Sequence, residues 1–331
     1  MKHSNISIFV PHIGCPHLCS FCDQRTISGA QHAPTGDEVR EICRKALSEV
    51  KEPENAEIAF FGGSFTAVPR DYMIELLCAA HEFVGEGKFR GIRCSTRPDC
   101  IDPEVLQLLK SFGVTAIELG AQSMDDDVLE LNERGHTSAD VENACVLIRA
   151  FGFELGLQMM IGLYGSTPEK EWASVERIAA LAPDTVRIYP VVVLRNTRLG
   201  ELLLSGEYEP FSFDKAVEIA SAAMVMFEGS GIRVIKCGLH ASEFVEQDMV
   251  GGFYHPAFRE LCEALIYRHN IGFALQSAGD MKNAVIAVND RCLSKAAGQK
   301  RSNIDFFGER GVNIKLVGDK DIPKYECELR R

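Results

Sequence analysis

The sequence predicts an α/β fold whose core is a sheet of parallel strands. Within the first 230 residues, six short β-rich runs alternate with six segments of helical periodicity. Strands that alternate with helices form parallel βαβ units, so six alternations predict a doubly wound sheet or a partial barrel. In either arrangement a ligand binds at the carboxyl ends of the strands.

The predicted helices have well-marked starts. The β-rich runs cover residues 6–10, 57–61, 91–94, 115–119, 155–161 and 186–193. The helical segments cover roughly residues 34–50, 69–84, 103–112, 138–151, 168–182 and 213–229. Three of these segments begin with a proline at or next to the first helical position, namely Pro69, Pro103 and Pro168. A proline there costs no helical hydrogen bond, so it marks where a helix begins.

The chain is expected to divide into three regions. Residues 1–231 form the partial barrel, residues 232–281 form a barrel extension, and residues 282–331 form a small C-terminal α+β unit. The charge is distributed unevenly along the chain. Residues 282–331 carry a net charge of +4 and the rest of the chain carries −16, which together give −12. Such asymmetry indicates separate functions for the two parts, although a small basic tail is often only a solvated surface.

Composition favours a cytoplasmic globular protein. The hydrophobic content of 46% and charged content of 25% are typical of that class. No apolar run approaches the roughly 18 residues of a membrane span, and the amino terminus lacks the apolar core of a signal peptide. In the cytosol thiols stay reduced, so the twelve cysteines are not expected to form disulfides. Only closely spaced cysteines indicate a metal site.

Three closely spaced cysteines follow the first predicted strand, in the loop GCPHLCSFC. Cys15, Cys19 and Cys22 can hold a 4Fe-4S cluster with one open iron, which the amino and carboxylate groups of S-adenosylmethionine (SAM) can chelate. A zinc site would need a fourth protein ligand, for which His17 is the candidate. Phe21 favours the cluster, because a flat ring there can pack against an adenine.

A glycine pair ends the second predicted strand, in the sequence FGGSF. Two glycines at a strand end let the backbone approach a ligand closely. Their place one βαβ step after the cysteine loop indicates that this strand end binds the amino acid part of SAM.

The chain resembles the radical SAM superfamily, and in particular the Elongator catalytic subunit and its shorter bacterial relatives, with coproporphyrinogen dehydrogenases as cousins. Six stretches carry the resemblance in order over about two-thirds of the chain: IFVPHIGCPHLCSFC, FFGGSF, STRPD, IELGAQSMDDDVLELNERGHT, GLQMMIGLYGST and RIYPVVVLRNTRLGELLLSGEYEPFS. The resemblance implies a partial (β/α)6 TIM-like barrel. It also implies reductive cleavage of SAM to a 5′-deoxyadenosyl radical, with an electron donor of the flavodoxin or ferredoxin type.

The resemblance also implies roles for individual residues. Gly62, Gly63 and Ser64 match the residues that bind the SAM amino group, and Gln122 and Arg134 match positions at its nucleoside and carboxylate. Gln158 occupies the position at which the coproporphyrinogen branch has an aspartate near the ribose, and Ser95 occupies a position that is often glutamate in relatives. Apart from the resemblance, Tyr189 is expected to form a wall of the pocket and His136 to be a capping or structural histidine.

The C-terminal unit resembles the β-α-α-β core of a KH domain, whose GxxG loop clamps the backbone of single-stranded nucleic acid. Its predicted order is a strand (284–288), a helix (292–297), the turn GQKR, a helix (303–309) and a strand (312–317). Gly298, Lys300 and Arg301 would then contact RNA, with Arg301 in place of the second glycine. The alternative is that the unit is a subdomain that closes the open barrel, and that its Lys and Arg side chains are simply solvated.

These features lead to one main hypothesis and two alternatives. The main hypothesis is a radical SAM enzyme that modifies RNA, either tRNA or rRNA. The alternatives are a small-molecule or cofactor-biosynthetic radical SAM enzyme and a zinc-containing RNA adaptor. Nothing in the sequence resembles an acetyl-CoA site or an additional cluster domain, so neither acetyl-CoA-dependent chemistry nor methylthio transfer is expected.

Overall fold

A curled sheet of seven parallel strands forms the centre of the protein. The computed structural model describes residues 4–10, 13, 15, 19–23, 32–239, 243–276 and 281–330. The sheet has the order β1-β2-β3-β4-β5-β6-β8. Its strands are β1 (Ser4–Val10), β2 (Ala56–Gly62), β3 (Gly91–Thr96), β4 (Val114–Gln122), β5 (Glu154–Ile161), β6 (Thr185–Pro190) and β8 (Arg233–Cys237). The predicted partial barrel is therefore confirmed.

Ten α-helices accompany this sheet within the described residues of 36–276, and the longer ones pack against its outer face. They are α1 (Gly36–Glu49), α2 (Arg70–His81), α3 (Pro103–Ser111), α4 (Asp126–Leu131), α5 (Ser138–Ala150), α6 (Pro168–Ala180), α7 (Arg198–Ser205), α8 (Phe213–Gly229), α9 (Glu243–Asp248) and α10 (Phe258–Gln276). Several begin with a side-chain cap; for example, Asp102 accepts a hydrogen bond from the Val105 amide at 2.8 Å. In the described part of the chain, no helix has the length and apolar character to cross a membrane.

The sheet differs from the predicted one at its far edge. Its last strand, β8, lies beyond the boundary expected at residue 231, and it pairs in parallel with β6. The run predicted at 186–193 is two strands, because β7 (Val192–Leu194) leaves the sheet to pair with β9 (Met249–Gly252). The short helices α4 and α7 were not predicted.

Side chains alternate between two very different faces of the sheet. Ile58, Phe60 and Ile117 point to the helices and are fully buried among apolar neighbours. The intervening positions face the barrel lumen, where Glu57 and Glu118 are also buried. Because successive strand residues point to opposite faces, this alternation gives the barrel a polar interior.

The C-terminal unit has the predicted order of elements. It consists of β10 (Asn283–Val288), α11 (Leu293–Ala297), α12 (Ser302–Gly308), β11 (Asn313–Gly318) and β12 (Cys327–Arg330), and its sheet order is β11-β10-β12. The unit packs on α10, where the fully buried Asn303 donates a hydrogen bond to the carbonyl oxygen of Ala264 at 2.8 Å. Lys295 forms an ion pair with Glu263 at 2.8 Å.

Candidate cofactor site and barrel lumen

The cysteine loop is tied to the rest of the barrel by hydrogen bonds around Ser20. The Ser20 amide donates to the carbonyl oxygen of Asn132 at 3.1 Å, and its hydroxyl donates to the Asn132 side chain at 2.8 Å. The Leu199 amide donates to the Ser20 carbonyl oxygen at 2.7 Å. This anchoring holds Cys19 and Cys22, on either side of Ser20, at the carboxyl end of the sheet.

Cys15, Cys19 and Cys22 form no disulfide and are partly exposed. Among the described residues, no three His, Cys, Asp or Glu side chains are arranged to hold one metal ion. A 4Fe-4S cube does not require such convergence, because each thiolate binds a different iron. A mononuclear zinc site does require it. His17, the remaining candidate zinc ligand, lies outside the described residues.

The glycine pair brings the end of β2 against the end of β1. Gly62 has a φ of +117°, and a Cβ there would lie 2.8 Å from the carbonyl oxygen of Val10. The Gly63 amide donates to that same oxygen at 3.0 Å. A side chain at Gly62 would therefore displace the strand that carries the cysteine loop.

Ser64 lies beside the glycine pair, but its hydroxyl faces the protein. The side chain is 1% exposed, lies 2.8 Å from the Thr96 hydroxyl, and accepts a hydrogen bond from the Arg97 amide at 3.2 Å. Ser64 therefore joins the ends of β2 and β3. Its hydroxyl is already engaged in this network.

Arg134 extends from the loop after α4 to the cysteine loop. Its Nη1 lies 3.0 Å from Cys19 Sγ, and its Nη2 donates to the carbonyl oxygen of Gly120 at 2.6 Å. Arg97, which was not among the predicted site residues, is bidentate to Asp99 and donates to the Arg134 carbonyl oxygen. Arg134 is thereby held in place, while its buried Nε has no partner among the described residues.

Gln122 ends β4 in a strained conformation. Its φ is +66°, and the β4–β5 register shifts between Gly120 and Gln122. A Cβ at Gly120 would lie 2.8 Å from Gln122 Nε2 and 3.3 Å from Arg134 Nη2. Gly120 thus leaves space for both side chains. In the described part of the chain, the buried Oε1 of Gln122 also has no hydrogen-bond partner.

His136 is buried behind these residues. Its Nε2 lies 3.3 Å from the carbonyl oxygen of Ala121. Burial, together with the charges of Arg134 and Arg97, lowers the pKa of His136 to about 4. The imidazole is therefore neutral at pH 7, which fits the structural role expected for it.

Two adjoining cavities connect these residues with the lumen. The smaller cavity, of about 110 Å³, is lined by the three cysteines and by Gly62, Gly63, Ser64, Arg97, Gln122 and Arg134, among others. The lumen cavity, of about 330 Å³, has further walls at Tyr189, Arg187 and Lys236. Six residues line both: Phe21, Cys22, Gly62, Ser95, Gln122 and Gln158.

A chain of ion pairs forms the floor of the lumen. The buried Arg93 contacts Glu57 at 2.7 Å and Glu118 at 2.8 Å, and Glu118 also contacts Arg187 at 2.5 Å. Burial opposes ionisation of Glu118, but Arg187 and Arg93 outweigh it and lower its pKa. Gln158 donates to Glu118 at 3.2 Å and to the Ser95 hydroxyl at 3.2 Å.

The GQKR turn lies on the C-terminal unit, between α11 and α12. Gly298 is buried with a φ of +78°, and Gln299, Lys300 and Arg301 are exposed. Lys300 and Arg301 also have positive φ angles, of +52° and +67°. The turn therefore presents two adjacent cations to solvent.

The family of the chain follows from comparison with known proteins. The model of the radical SAM superfamily matches residues 9–178, which is more than half of the chain, and the radical SAM C-terminal domain matches residues 183–268. The tRNA uridine(34) acetyltransferase of Methanocaldococcus jannaschii is 38% identical over 199 residues, which make up 54% of this chain and 37% of that protein. Elongator complex protein 3 of Homo sapiens is 31% identical over 193 residues, or 52% of this chain and 35% of that protein.

A solved structure supports the same assignment at the level of the fold. The Elp3 protein of Methanocaldococcus infernus, with an N-terminal deletion, has a TM-score of 0.56 at 20% identity, covering 74% of this chain and 61% of that one. The chain spans only about a third of the length of the two curated relatives named above. By fold, sequence match and site residues together, the chain belongs to the radical SAM superfamily of enzymes, whose cofactors are a 4Fe-4S cluster and SAM.

Proposed function

We propose that this enzyme modifies RNA by abstracting a hydrogen atom from a nucleotide held in the barrel lumen. The observation that carries the proposal is the pair of adjoining cavities, one lined by the three cysteines and the other open for a substrate. Similarity to tRNA uridine(34) acetyltransferases favours RNA as the substrate class. The acetyl transfer of those longer proteins is not part of the proposal.

The residues present suit the cluster and SAM. Cys15, Cys19 and Cys22 supply the thiolates that iron–sulfur clusters require. The unpaired Arg134 Nε is a donor for the SAM carboxylate, and the unpaired Gln122 Oε1 is an acceptor for its nucleoside. When bound, the cluster and SAM supply hydrogen-atom abstraction; the chain binds them, orients them and holds the substrate alongside.

Arg134 has a positioning role in this proposal. The Gly120 carbonyl and Arg97 hold it, so its guanidinium needs little reordering when a carboxylate binds. Its Nη1 also lies 3.0 Å from the Cys19 sulfur, where it can donate to that sulfur when Cys19 binds iron as a thiolate. The same cation therefore stabilises a cluster ligand and the carboxylate that approaches the cluster.

A basic and aromatic surface on the C-terminal unit supports binding of RNA. Lys300 and Arg301 are exposed in the turn. On the same unit, the ring of Phe306 contacts Arg310 and also Arg268, which lies on α10; the two guanidinium groups are 3.5 Å and 4.5 Å from the ring centroid, respectively. Cations neutralise phosphates, while guanidinium planes and aromatic rings stack on unpaired bases. The acidic remainder of the chain directs nucleic acid to this surface.

Reversing the charge of the turn tests the RNA proposal. The double variant Lys300→Glu/Arg301→Glu should weaken binding of a fluorescently labelled tRNA by about tenfold or more at moderate salt. It should also reduce the slope of log affinity against log salt by about 1 to 2. Fluorescence polarisation measures both quantities, and iron content and circular dichroism report on folding.

A matched variant controls for net charge. Lys315 and Lys320 are exposed on the same unit, so Lys315→Glu/Lys320→Glu makes the same change in total charge. It should weaken tRNA binding by less than about threefold. Equal weakening by both double variants, or by neither, would leave the small-molecule substrate as the better proposal.

A further inference from the structure

The lumen cavity has two cations and no carboxylate in its described lining. Arg187 and Lys236 are its only Lys or Arg side chains there, and no Asp or Glu side chain joins them. Apolar side chains, including Phe9, Phe61 and Met160, form much of the remaining wall. A cavity of this composition suits a molecule with an apolar or aromatic part and a negatively charged group.

The carboxylates near the lumen cavity already form ion pairs with arginine side chains. Glu118 contacts both Arg93 and Arg187, and Glu57 contacts Arg93 and the Thr115 hydroxyl. Glu154 contacts Arg93 at 3.4 Å and Arg233 at 3.1 Å. These carboxylates therefore have cationic partners other than Lys236, and none forms an ion pair with it in the described part of the chain.

Arg187 and Lys236 are direct neighbours across two strands. The pairing of β6 with β8 places the two residues in register. Like charges at such a position repel each other and destabilise the sheet. Burial and the charges of Arg187 and Arg259 all lower the pKa of Lys236. Glu118 compensates the charge of Arg187, whereas Lys236 has no carboxylate partner among the described residues, so an anion bound beside Lys236 would relieve the repulsion.

Hydrogen bonds hold the Arg187 side chain in a position from which it can bind such an anion. Nε and Nη2 both donate to Glu118, at 2.5 Å and 3.0 Å, and the guanidinium lies 5.1 Å from the centroid of the Phe61 ring. These bonds use two of its five N–H groups, and Arg187 also forms a hydrogen bond with Tyr189. The remaining donors and the Lys236 ammonium belong to the same cavity wall.

We propose that Arg187 and Lys236 form a binding site for an oxyanion of the substrate, either a phosphate or a carboxylate. This inference rests on the proposed function, because it assumes that the substrate occupies the lumen. Arg134 is assigned to the carboxylate of SAM, and it does not line the lumen cavity. The oxyanion at Arg187 and Lys236 therefore belongs to the substrate. RNA would supply a phosphate, and a small organic acid would supply a carboxylate.

Isothermal titration of the reconstituted holoenzyme, with SAM present, tests the site. The probes are inorganic phosphate and acetate. Lys236→Gln should weaken the affinity for the better-bound anion by about tenfold or more, whereas Lys236→Arg should retain it within about threefold. The control Lys315→Gln removes an exposed lysine of the C-terminal unit and should have no effect. Stronger binding of phosphate identifies a nucleotide substrate, and stronger binding of acetate identifies a carboxylic acid.

Two outcomes would overturn the proposal. One is the absence of any measurable binding of either anion to the wild-type holoenzyme. The other is that Lys236→Gln binds each anion with the same affinity as the wild type does. Binding of tRNA to the turn variants is measured separately, so failure of the RNA proposal and failure of the lumen site give different results. If the Lys300→Glu/Arg301→Glu variant binds tRNA as well as the wild type does while the lumen binds acetate selectively, for example, the result supports the site but not the RNA substrate.

Discussion

At the scale of single residues, the proposed SAM site contains side chains that are positioned but incompletely paired. Arg134 Nε and Gln122 Oε1 are buried without partners in the described part of the chain, although buried polar atoms are normally hydrogen-bonded. Gln122 additionally has a positive φ, a strain that a structure retains at functional sites. The sequence motifs named both residues, but only the structure shows that their polar atoms are unpaired.

Replacing Arg134 tests its assignment to SAM. Arg134→Ala should raise the dissociation constant for SAM by about ten- to a hundredfold, since a charged hydrogen bond contributes roughly 1.5–3 kcal/mol. Iron content should stay near wild type, because the three cysteines remain. Equilibrium dialysis with labelled SAM gives the constant, and Arg90→Ala removes an exposed arginine as a control. An unchanged dissociation constant for SAM would mean that Arg134 only supports the cysteine loop.

At the scale of elements, the periodicity of the sequence predicted the strands and long helices well. Strand alternation and helix caps are local signals, and they place β1 to β6 within a few residues. The residues of β8 were assigned to the barrel extension, because membership of a sheet depends on pairing with a distant strand. The ion pairs between Arg93, Glu118 and Arg187 could not be predicted for the same reason: they join three strands.

The contact between the start of α6 and the loop after β5 makes the stability of the fold depend on pH. Glu171, in the first turn of α6, accepts hydrogen bonds from the Gly162 amide and the Ser166 hydroxyl, both at 2.7 Å. Burial raises the pKa of Glu171 from 4.5 to about 7. Between these values the folded protein binds more protons than the unfolded chain, so stability falls as pH rises.

Glu171→Gln should abolish that loss of stability. Relative to the variant, the free energy of unfolding of the wild type should fall by about 2–3 kcal/mol between pH 4.5 and pH 7.5. Urea denaturation across this range measures the difference. Glu176→Gln changes an exposed glutamate of the same helix and should follow the wild type. Parallel pH profiles for wild type and Glu171→Gln would contradict the assigned pKa.

At the scale of the whole molecule, the parallel sheet explains why distant motifs form one site. The carboxyl ends of β1 to β6 lie at one edge, so the cysteine loop, the glycine pair, Gln122, Gln158 and Tyr189 surround adjoining cavities. This convergence was predicted from the alternation of strands and helices. The packing of the C-terminal unit on α10 was not predicted, since it depends on the hydrogen bond of the buried Asn303 to α10 and on the ion pair of Glu263 with the unit.

The most direct test of the account is replacement of one cluster cysteine. Cys19→Ala should abolish both the brown iron–sulfur chromophore after anaerobic reconstitution and the formation of 5′-deoxyadenosine from SAM. Cys78→Ala, which removes an exposed cysteine of α2, should retain both. Iron and sulfide analysis together with chromatography of the products measures the two properties. A Cys19→Ala protein that still cleaves SAM reductively, with wild-type iron content, would contradict the assignment of Cys15, Cys19 and Cys22 to the cluster.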